Sequence, residues 1–380
     1  MSEYQYYQFQ AVDRPLGPKQ QEELRAISTR ACITASSFTN HYEWGDLKAD
    51  PARLLERYFD LFVYVANWGS RRFAMRLPEA AVDPKDLAGF DFDEEVAALR
   101  RTDGYLIVDI WCDDIELDEW DDGRGWMAAL APVRADLLAG DLRLFYLVWL
   151  LSVDVGLIPD DALEPLPGIA PLTAALGAVA EFFAIDGDLL EVAAGGEAPA
   201  VAEPSREAVD AFIRALPEEE KTALLLRNYD GDAAVGAELR RRCRRALICP
   251  GATVPRRTAG ALRAEAGRLA EERSRIAEER AAIEGRRREE ERARARAECL
   301  AGLATRGEAA WREVEDCVAL RNAAGYDRAA TLLSDLGEIA RGQGSEEDFA
   351  HRIAALRTRH ERKGRFIERL DAAGLGRVAS

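Results

Sequence analysis

From Arg257 to about Arg296 the chain is written almost entirely in Arg, Glu and Ala. A stretch of that composition predicts an α-helix of roughly 40 residues, about 60 Å at 1.5 Å per residue. Glu and Arg stand four residues apart at Glu271 and Arg275 and again at Glu284 and Arg288. Each such pair supports a helix by roughly a few tenths of a kcal/mol. Gly285 weakens the middle by up to ~1 kcal/mol relative to Ala. Leu262, Leu269, Ile276 and Ile283 recur every seven residues, but the companion positions hold Ala266, Arg273 and Arg280. A coiled-coil seam needs apolar residues at both positions, so this is half a seam. Its expected cover is a C-terminal helix pair, through Leu332, Leu333, Leu336, Ile339, Ile353 and Leu356, in an antiparallel hairpin. A parallel dimer would set Arg273 and Arg280 against their own copies, so a monomer is expected.

The N-terminal half carries a different period. Tyr4 to Val12 is aromatic-rich and reads as a strand. Phe73, Met75 and Leu77 alternate with Arg72, Ala74 and Arg76, and Leu106, Val108 and Ile110 share one face of a segment from Gly104 to Cys112. Period-two patterning of this kind marks half-buried strands. Ile33 to Phe38 is short and β-leaning. Helices are predicted from Pro18 and from Pro51. Asp50 caps the second, which carries Leu54, Leu55, Tyr58, Phe59, Phe62 and Val65 at helical spacing to a stop at Gly69. After Gly125 the character is helical. Trp126 to Leu138 bends near Pro132, a very apolar helix follows Asp141, and Leu172 to Phe183 is another. The fold class is therefore α+β: a small, mostly antiparallel sheet with helices, followed by an all-α region containing the long charged helix at about 257–296. At ~150 residues per domain, 380 residues hold two or three units. The boundaries read as 1–192, a Gly/Pro linker at 193–204, and a helical domain at 205–380. Within the latter, further helices are expected at Glu218 to Tyr229, Ala310 to Leu320, Tyr326 to Arg341 and Ser345 to Leu370.

Net charge is −17, yet the segment from Glu238 to Arg306 holds 19 Arg against 11 Glu. That segment is +8, which leaves −25 for the rest. So acidic a body repels nucleic acid and anionic membrane. The asymmetry is met either within the molecule, the commoner arrangement, or by an external acidic partner. Arg240, Arg241, Arg242, Arg244 and Arg245 are the densest basic cluster and could grip phosphates, but no aromatic residues interleave them.

Two regions could carry chemistry. Asp109, Asp113, Asp114, Glu116, Asp118, Glu119, Asp121 and Asp122 could hold a hard cation through carboxylate oxygens. The calcium-loop register fails from either start: from Asp118, Trp120 falls on a ligand position, and from Asp114, Glu119 replaces the turn glycine. His41, with Glu43, Asp46, Tyr42 and Trp44, could serve as a general base, though no nucleophile is identifiable beside it. Both regions have a plainer reading, as a solvated loop and a packed histidine. Cys243 and Cys249 are too far apart for a zinc knuckle, and the chain has three histidines. Phosphate-binding glycine loops are absent. No catalytic, cofactor-binding or metal-ligating residue is therefore assigned. The expected role is a non-enzymatic interaction or adaptor protein that meets a protein partner through the long helix. The alternatives are a metal-dependent hydrolase using residues 109–122 or the His41 region, and a nucleic-acid-associated protein using Arg240 to Arg245. Met1 to Gln10 lacks the apolar core of a secretory signal, and the run from Leu142 to Leu151 is too short to span a bilayer. A cytoplasmic setting with reduced thiols is expected.

The stretches Tyr4 to Leu16, Ser37-Phe38, Trp44 to Asp46, Asp50-Pro51, Glu56 to Asp60 and Ala66 to Gly69, with Arg359 to Lys363 and Arg369 to Gly374 near the end, resemble a family of bacterial proteins of similar length. The resemblance implies a bacterial cytoplasmic protein and brings no activity, cofactor or catalytic residue. Leu216 to Arg227 resembles the first helix of the DNA-binding region of bacterial sigma factors. The segment from Asp230 to Gly236 departs from that family's apolar pattern, so DNA binding is not carried over.

Overall fold

The computed structural model describes residues 3–79, 82, 87, 89–90, 93–116, 120–195, 204–232, 234–247 and 255–376. Seven strands form one antiparallel sheet: β1 (Gln5–Gln10), β2 (Cys32–Ile33), β3 (Ser37–Tyr42), β4 (Leu61–Ala66), β5 (Arg71–Pro78), β6 (Ala97–Thr102) and β7 (Tyr105–Cys112). Their order is β2-β3-β1-β4-β5-β7-β6. The class is α+β, with a mostly helical C-terminal region.

Both faces of the sheet are covered. On the first, Phe9, Phe38, Phe62 and Ile107 meet Leu24 of α1 (Pro18–Ile27) and Leu54 and Leu55 of α2 (Pro51–Tyr58). Phe9 and Phe62 stack with ring centres 4.4 Å apart, and truncating a ring so placed costs about 3–5 kcal/mol. Asp50 caps α2 by accepting Ala52 N. On the second face, Val63, Phe73, Met75, Val108 and Ile110 meet a helical layer. That layer is α3 (Trp126–Leu130), α4 (Pro132–Leu138), α5 (Arg143–Asp154), α6 (Ala174–Phe182) and α7 (Gly187–Ala194). Every residue of α5 from Leu144 to Val153 is buried, as the apolar run to Leu151 requires, and the Ser152 hydroxyl donates to Val148 O.

The expected helix from Asp50 to Gly69 stops at Tyr58, and its second half is the central strand β4. Phe62 and Val65 do fall at helical spacing. The run Leu61 to Ala66 is nonetheless apolar on both sides, and a strand between two helical layers buries both. Gly69 sits not at a helix end but in the β4–β5 turn, with φ +92° and room for no side chain: a Cβ there would lie 2.5 Å from Ile115 O.

By its contacts the chain divides at Glu272/Arg273. The sequence suggested 193–204, of which 196–203 lie outside the described residues. The reason is Arg257. Its guanidinium donates to the fully buried Glu164 and to the carbonyls of Val192 and Ala193, and Leu262 and Ala266 then enter the sheet's core. Helices α8 (Arg206–Ala215), α9 (Glu218–Tyr229) and α10 (Val235–Leu247) belong to the same unit.

The long helix, α11, runs Ala259–Arg306, beyond the expected 296. The second unit continues it with α12 (Glu308–Ala319), α13 (Ala323–Gln343), α14 (Glu346–Arg359) and α15 (Gly364–Ala372). The single helix expected from Ser345 to Leu370 is thus two, separated before Gly364. Leu333, Leu336, Ile353 and Leu356 pack on Leu303, Val314, Val318 and Phe366. Of the Leu262–Ile283 stripe, Leu262 is buried in the first unit's core, and Ile276 and Ile283 are exposed. The expected hairpin is replaced by this four-helix core around the end of α11.

Candidate functional site

Strand register brings one row of side chains across the first face of the sheet. Asn40 pairs with Tyr7, Tyr7 with Tyr64, Tyr64 with Arg72, and Arg72 with Trp111. Directly paired residues of an antiparallel sheet project to the same side, so these five form a line over β3, β1, β4, β5 and β7. The neighbouring row, with Phe9 and Phe62, lies under α1 and α2. The Tyr7–Trp111 row lies at the start of α2, beside Pro51, and borders a cavity of about 480 Å³.

The floor of this groove is fixed by its own bonds. Arg72 donates Nε and Nη2 to the two oxygens of Asp109, at 2.8 and 2.5 Å, a bidentate pair. Its guanidinium carbon lies 5.8 Å from the centre of the Phe62 ring. The bond to Asp109 raises the already high pKa of Arg72. Tyr7 and Tyr64 rings lie 4.8 Å apart. The Tyr7 hydroxyl is 2.5 Å from Asp46 Oδ1 and 2.7 Å from Gln5 Oε1, which also accepts from Tyr64 at 2.9 Å. Gln5 Nε2 donates to Gly45 O, so the loop carrying Asp46 is tied to the sheet. Burial, then the bond to Asp46, pushes the Tyr7 phenol well above its ordinary value. Burial and the charge of Asp46 push Tyr64 up to about 12, with Asp113 contributing to the same effect. Asp113 is exposed and accepts from Ser70 Oγ at 2.5 Å.

Two sequence regions that looked separate therefore meet here in part. Tyr42 and Asp46 come from the His41 region: Tyr42 sits edge-on to Tyr7 at 5.8 Å. Asp109 and Asp113 come from the acidic stretch. His41 itself points to the other side of β3, where its ring stacks on Tyr4 at 6.0 Å. Asp121 is on that second side too, accepting from Arg71 and from Trp126 Nε1 at 2.8 Å each. Asp118 and Glu119 lie outside the described residues. Among those described, no three carboxylate, imidazole or thiol groups cluster as a metal site. Tyr7, Tyr64, Arg72 and Trp111 were not singled out from sequence. The aromatic run at Tyr4 to Phe9 was the signal available, but the row exists only through pairing register.

In the basic cluster on α10, Arg242 is met by carboxylates. Arg242 pairs with Glu238 at 2.7 Å and with Glu220 of α9 at 3.2 Å, and Arg227 of α9 pairs with Glu238 and Asp232. Arg244 lies close enough to lower the pKa of Asp141, after burial and the bonds from Arg143 have had their opposing effects. Cys32, Cys112, Cys243, Cys299 and Cys317 are free thiols, and Cys249 lies outside the described residues.

The middle of α11 is exposed from residue 270 to 299. Arg275 pairs with Glu279, Arg288 with Glu284, Arg287 with Glu291 and Arg294 with Glu298, all four residues apart. Ile276 is 36% exposed and Ile283 58%. Among the described residues no helix is long and apolar enough to cross a membrane. No family model, curated protein or solved structure matches this chain.

Proposed function

We propose that this chain is a non-enzymatic interaction or adaptor protein of the bacterial cytoplasm, and that it meets a protein partner along the middle of α11. The observation that carries the reading is the exposure of Ile276 and Ile283, one heptad apart, on a helix otherwise clothed in Arg and Glu. The Arg–Glu pairs make this segment helical by itself, so the two isoleucines are presented in fixed register. Full burial of an exposed isoleucine contributes about 1.5–3 kcal/mol, and Ile276 and Ile283 have only part of that surface left to bury, which suits a reversible contact. The partner is a helix with apolar residues at heptad spacing and carboxylates opposite Arg273 and Arg280. A second copy of this chain would bring like charges there.

A photo-crosslinking residue placed at Ala277, beside the stripe, tests this in the native host. The expected result is one recurrent cross-linked protein that is lost in Ile276→Asp/Ile283→Asp, with helicity and a concentration-independent monomer mass retained. The same proteins captured by the double variant would sink the reading. So would a magnesium- or calcium-induced thermal shift that disappears in Asp113→Asn, which would favour a metal-dependent enzyme.

A further inference from the structure

The groove on the sheet is separate from the α11 surface. We propose that the Tyr7–Tyr64–Arg72–Trp111 row is a receptor for a basic side chain, an arginine or lysine carried on an extended segment of a partner protein. Three features of the groove converge on that ligand. The row offers aromatic groups: Tyr64 and Trp111 are half-buried and line the cavity, and the buried Tyr7 flanks Tyr64 on the side away from Trp111. Aromatic faces attract cations, guanidinium above all. The volume of about 480 Å³ admits a long side chain with its flanking backbone.

The third feature is the sign of the charge. Stacking faces and an arginine on an open antiparallel sheet also suit single-stranded nucleic acid. Phosphates, however, need unpaired cations. Arg72 is spent on Asp109 through two hydrogen bonds. The Arg71 side chain is on the opposite face, donating to Phe182 O and Asp121. Among the described residues, the carboxylates of Asp46 and Asp113 are near enough to act on Tyr64, and Asp113 lines the cavity itself. An incoming phosphate is repelled by them, and an incoming ammonium or guanidinium is attracted.

The paired Arg72 also has a role in this reading. Fixed on Asp109 and set against the Phe62 ring, its guanidinium is a flat, charge-neutralised plate bordering the groove, against which a second guanidinium can lie. Asp113 then supplies the carboxylate that fixes its orientation, with Ser70 holding Asp113 in place.

The test uses the full chain labelled with 5-fluorotryptophan, whose seven resonances are assigned by single Trp→Phe variants. The probes are the peptide acetyl-Gly-Ser-Arg-Ser-Gly-amide, the same peptide with citrulline for arginine, free N-acetylarginine amide, and a short oligouridylate. The expected result is a saturable shift of the Trp111 signal with the arginine peptide, weakened about tenfold or more by citrulline. Asp113→Asn is expected to weaken it severalfold and Tyr64→Leu to abolish it, while the other tryptophan signals and the unfolding midpoint stay in place. Tyr64→Phe, which keeps the ring, is expected to retain binding and guards against a misfolded Leu variant. Equal shifts with arginine and citrulline, no shift at Trp111, or tighter binding of oligouridylate would each overturn the proposal. Free N-acetylarginine amide binding as tightly as the peptide would overturn the partner-protein assignment. Because α11 takes no part, loss of the Ile276/Ile283 contact leaves this outcome unchanged.

Discussion

Asp60 shows how single residues hold the first unit together. It is 1% exposed and receives the N–H groups of Val12 and Asp13 on Oδ2 and the guanidinium of Arg76 on Oδ1. Asp13 in turn holds Arg134, whose Nε donates to Arg76 O. Burial pushes the Asp60 carboxyl up, but the N–H groups of Asp13 and Val12 together with Arg76 outweigh it, so its pKa lies below the ordinary value. A depressed folded pKa means that the carboxylate stabilises the fold above the unfolded pKa of about 4 and ceases to do so as pH falls through the folded value. Asp60→Asn should therefore cost about 3–5 kcal/mol at neutral pH, because Arg76 is left buried without its charge partner. The difference from the unmodified chain should shrink below about pH 4. Urea unfolding at neutral and acid pH checks both; equal stability at neutral pH would refute the account. In sequence, Asp60 is one carboxylate among 68 acidic residues. Nothing local distinguishes it; Asp46 and Asp113 stand in stretches that could carry chemistry, but nothing local marks them as the two that meet in the groove. Their roles come from partners 16 to 48 positions away, brought close by the fold: for Asp60, Arg76 is 16 residues on and Val12 is 48 back, for Asp46, Tyr7 is 39 back, and for Asp113, Ser70 is 43 back.

Among elements, legibility followed how local the deciding contacts are. α11 could be read because Arg–Glu pairs four residues apart are contained in the sequence itself. β5 and β7 could be read because Phe73, Met75 and Leu77 in one, and Leu106, Val108 and Ile110 in the other, stand at alternate positions. β4 reads as helix in the sequence because an unbroken apolar run fits either period, and only helices on both faces of the sheet decide it. β6, Ala97–Thr102, carries little β preference and is fixed by eight-residue β7 beside it and by nothing in its own text. The half-seam of α11 was legible, while its cover was not. Leu262 went to one core and Leu303 to another, and Ile276 and Ile283 stayed exposed. Gly285 lies in that exposed stretch with open space where a Cβ would be. Gly285→Ala should raise the stability of the helix by about 0.5–1 kcal/mol, since alanine loses less backbone freedom and meets no neighbour. Circular dichroism at 222 nm through a thermal scan should show later loss of helicity; an unchanged or earlier loss would mean that the glycine is required where it stands.

At the scale of the whole molecule, the composition shift at 193–204 and the contacts disagree about where the first unit ends, and the disagreement can be weighed in energies. A chain stopped at Val192 keeps the sheet, α3 to α6 and all but the last two residues of α7, but loses Arg257. Glu164, 0% exposed, would then lie buried with only Tyr146 donating to it, at 2.7 Å. Removing one partner of a buried pair costs about 3–5 kcal/mol. Leu262, also 0% exposed, and the buried Ala259 and Ala266 leave the same core. The leucine alone contributes about 1.5–3 kcal/mol through burial. Ala237 of α10 is lost from that core as well. Against a total stability of about 5–15 kcal/mol for a folded domain, these losses together remove most of the margin. A chain stopped at Glu272 keeps every one of them. The shorter chain should therefore lack a cooperative urea transition and expose apolar surface to a dye, and the longer should unfold in a single sharp step. Cooperative unfolding of the shorter chain with the midpoint of the longer would place the boundary back at the linker. It would also mean that Arg257 rests on Glu164 without being needed there.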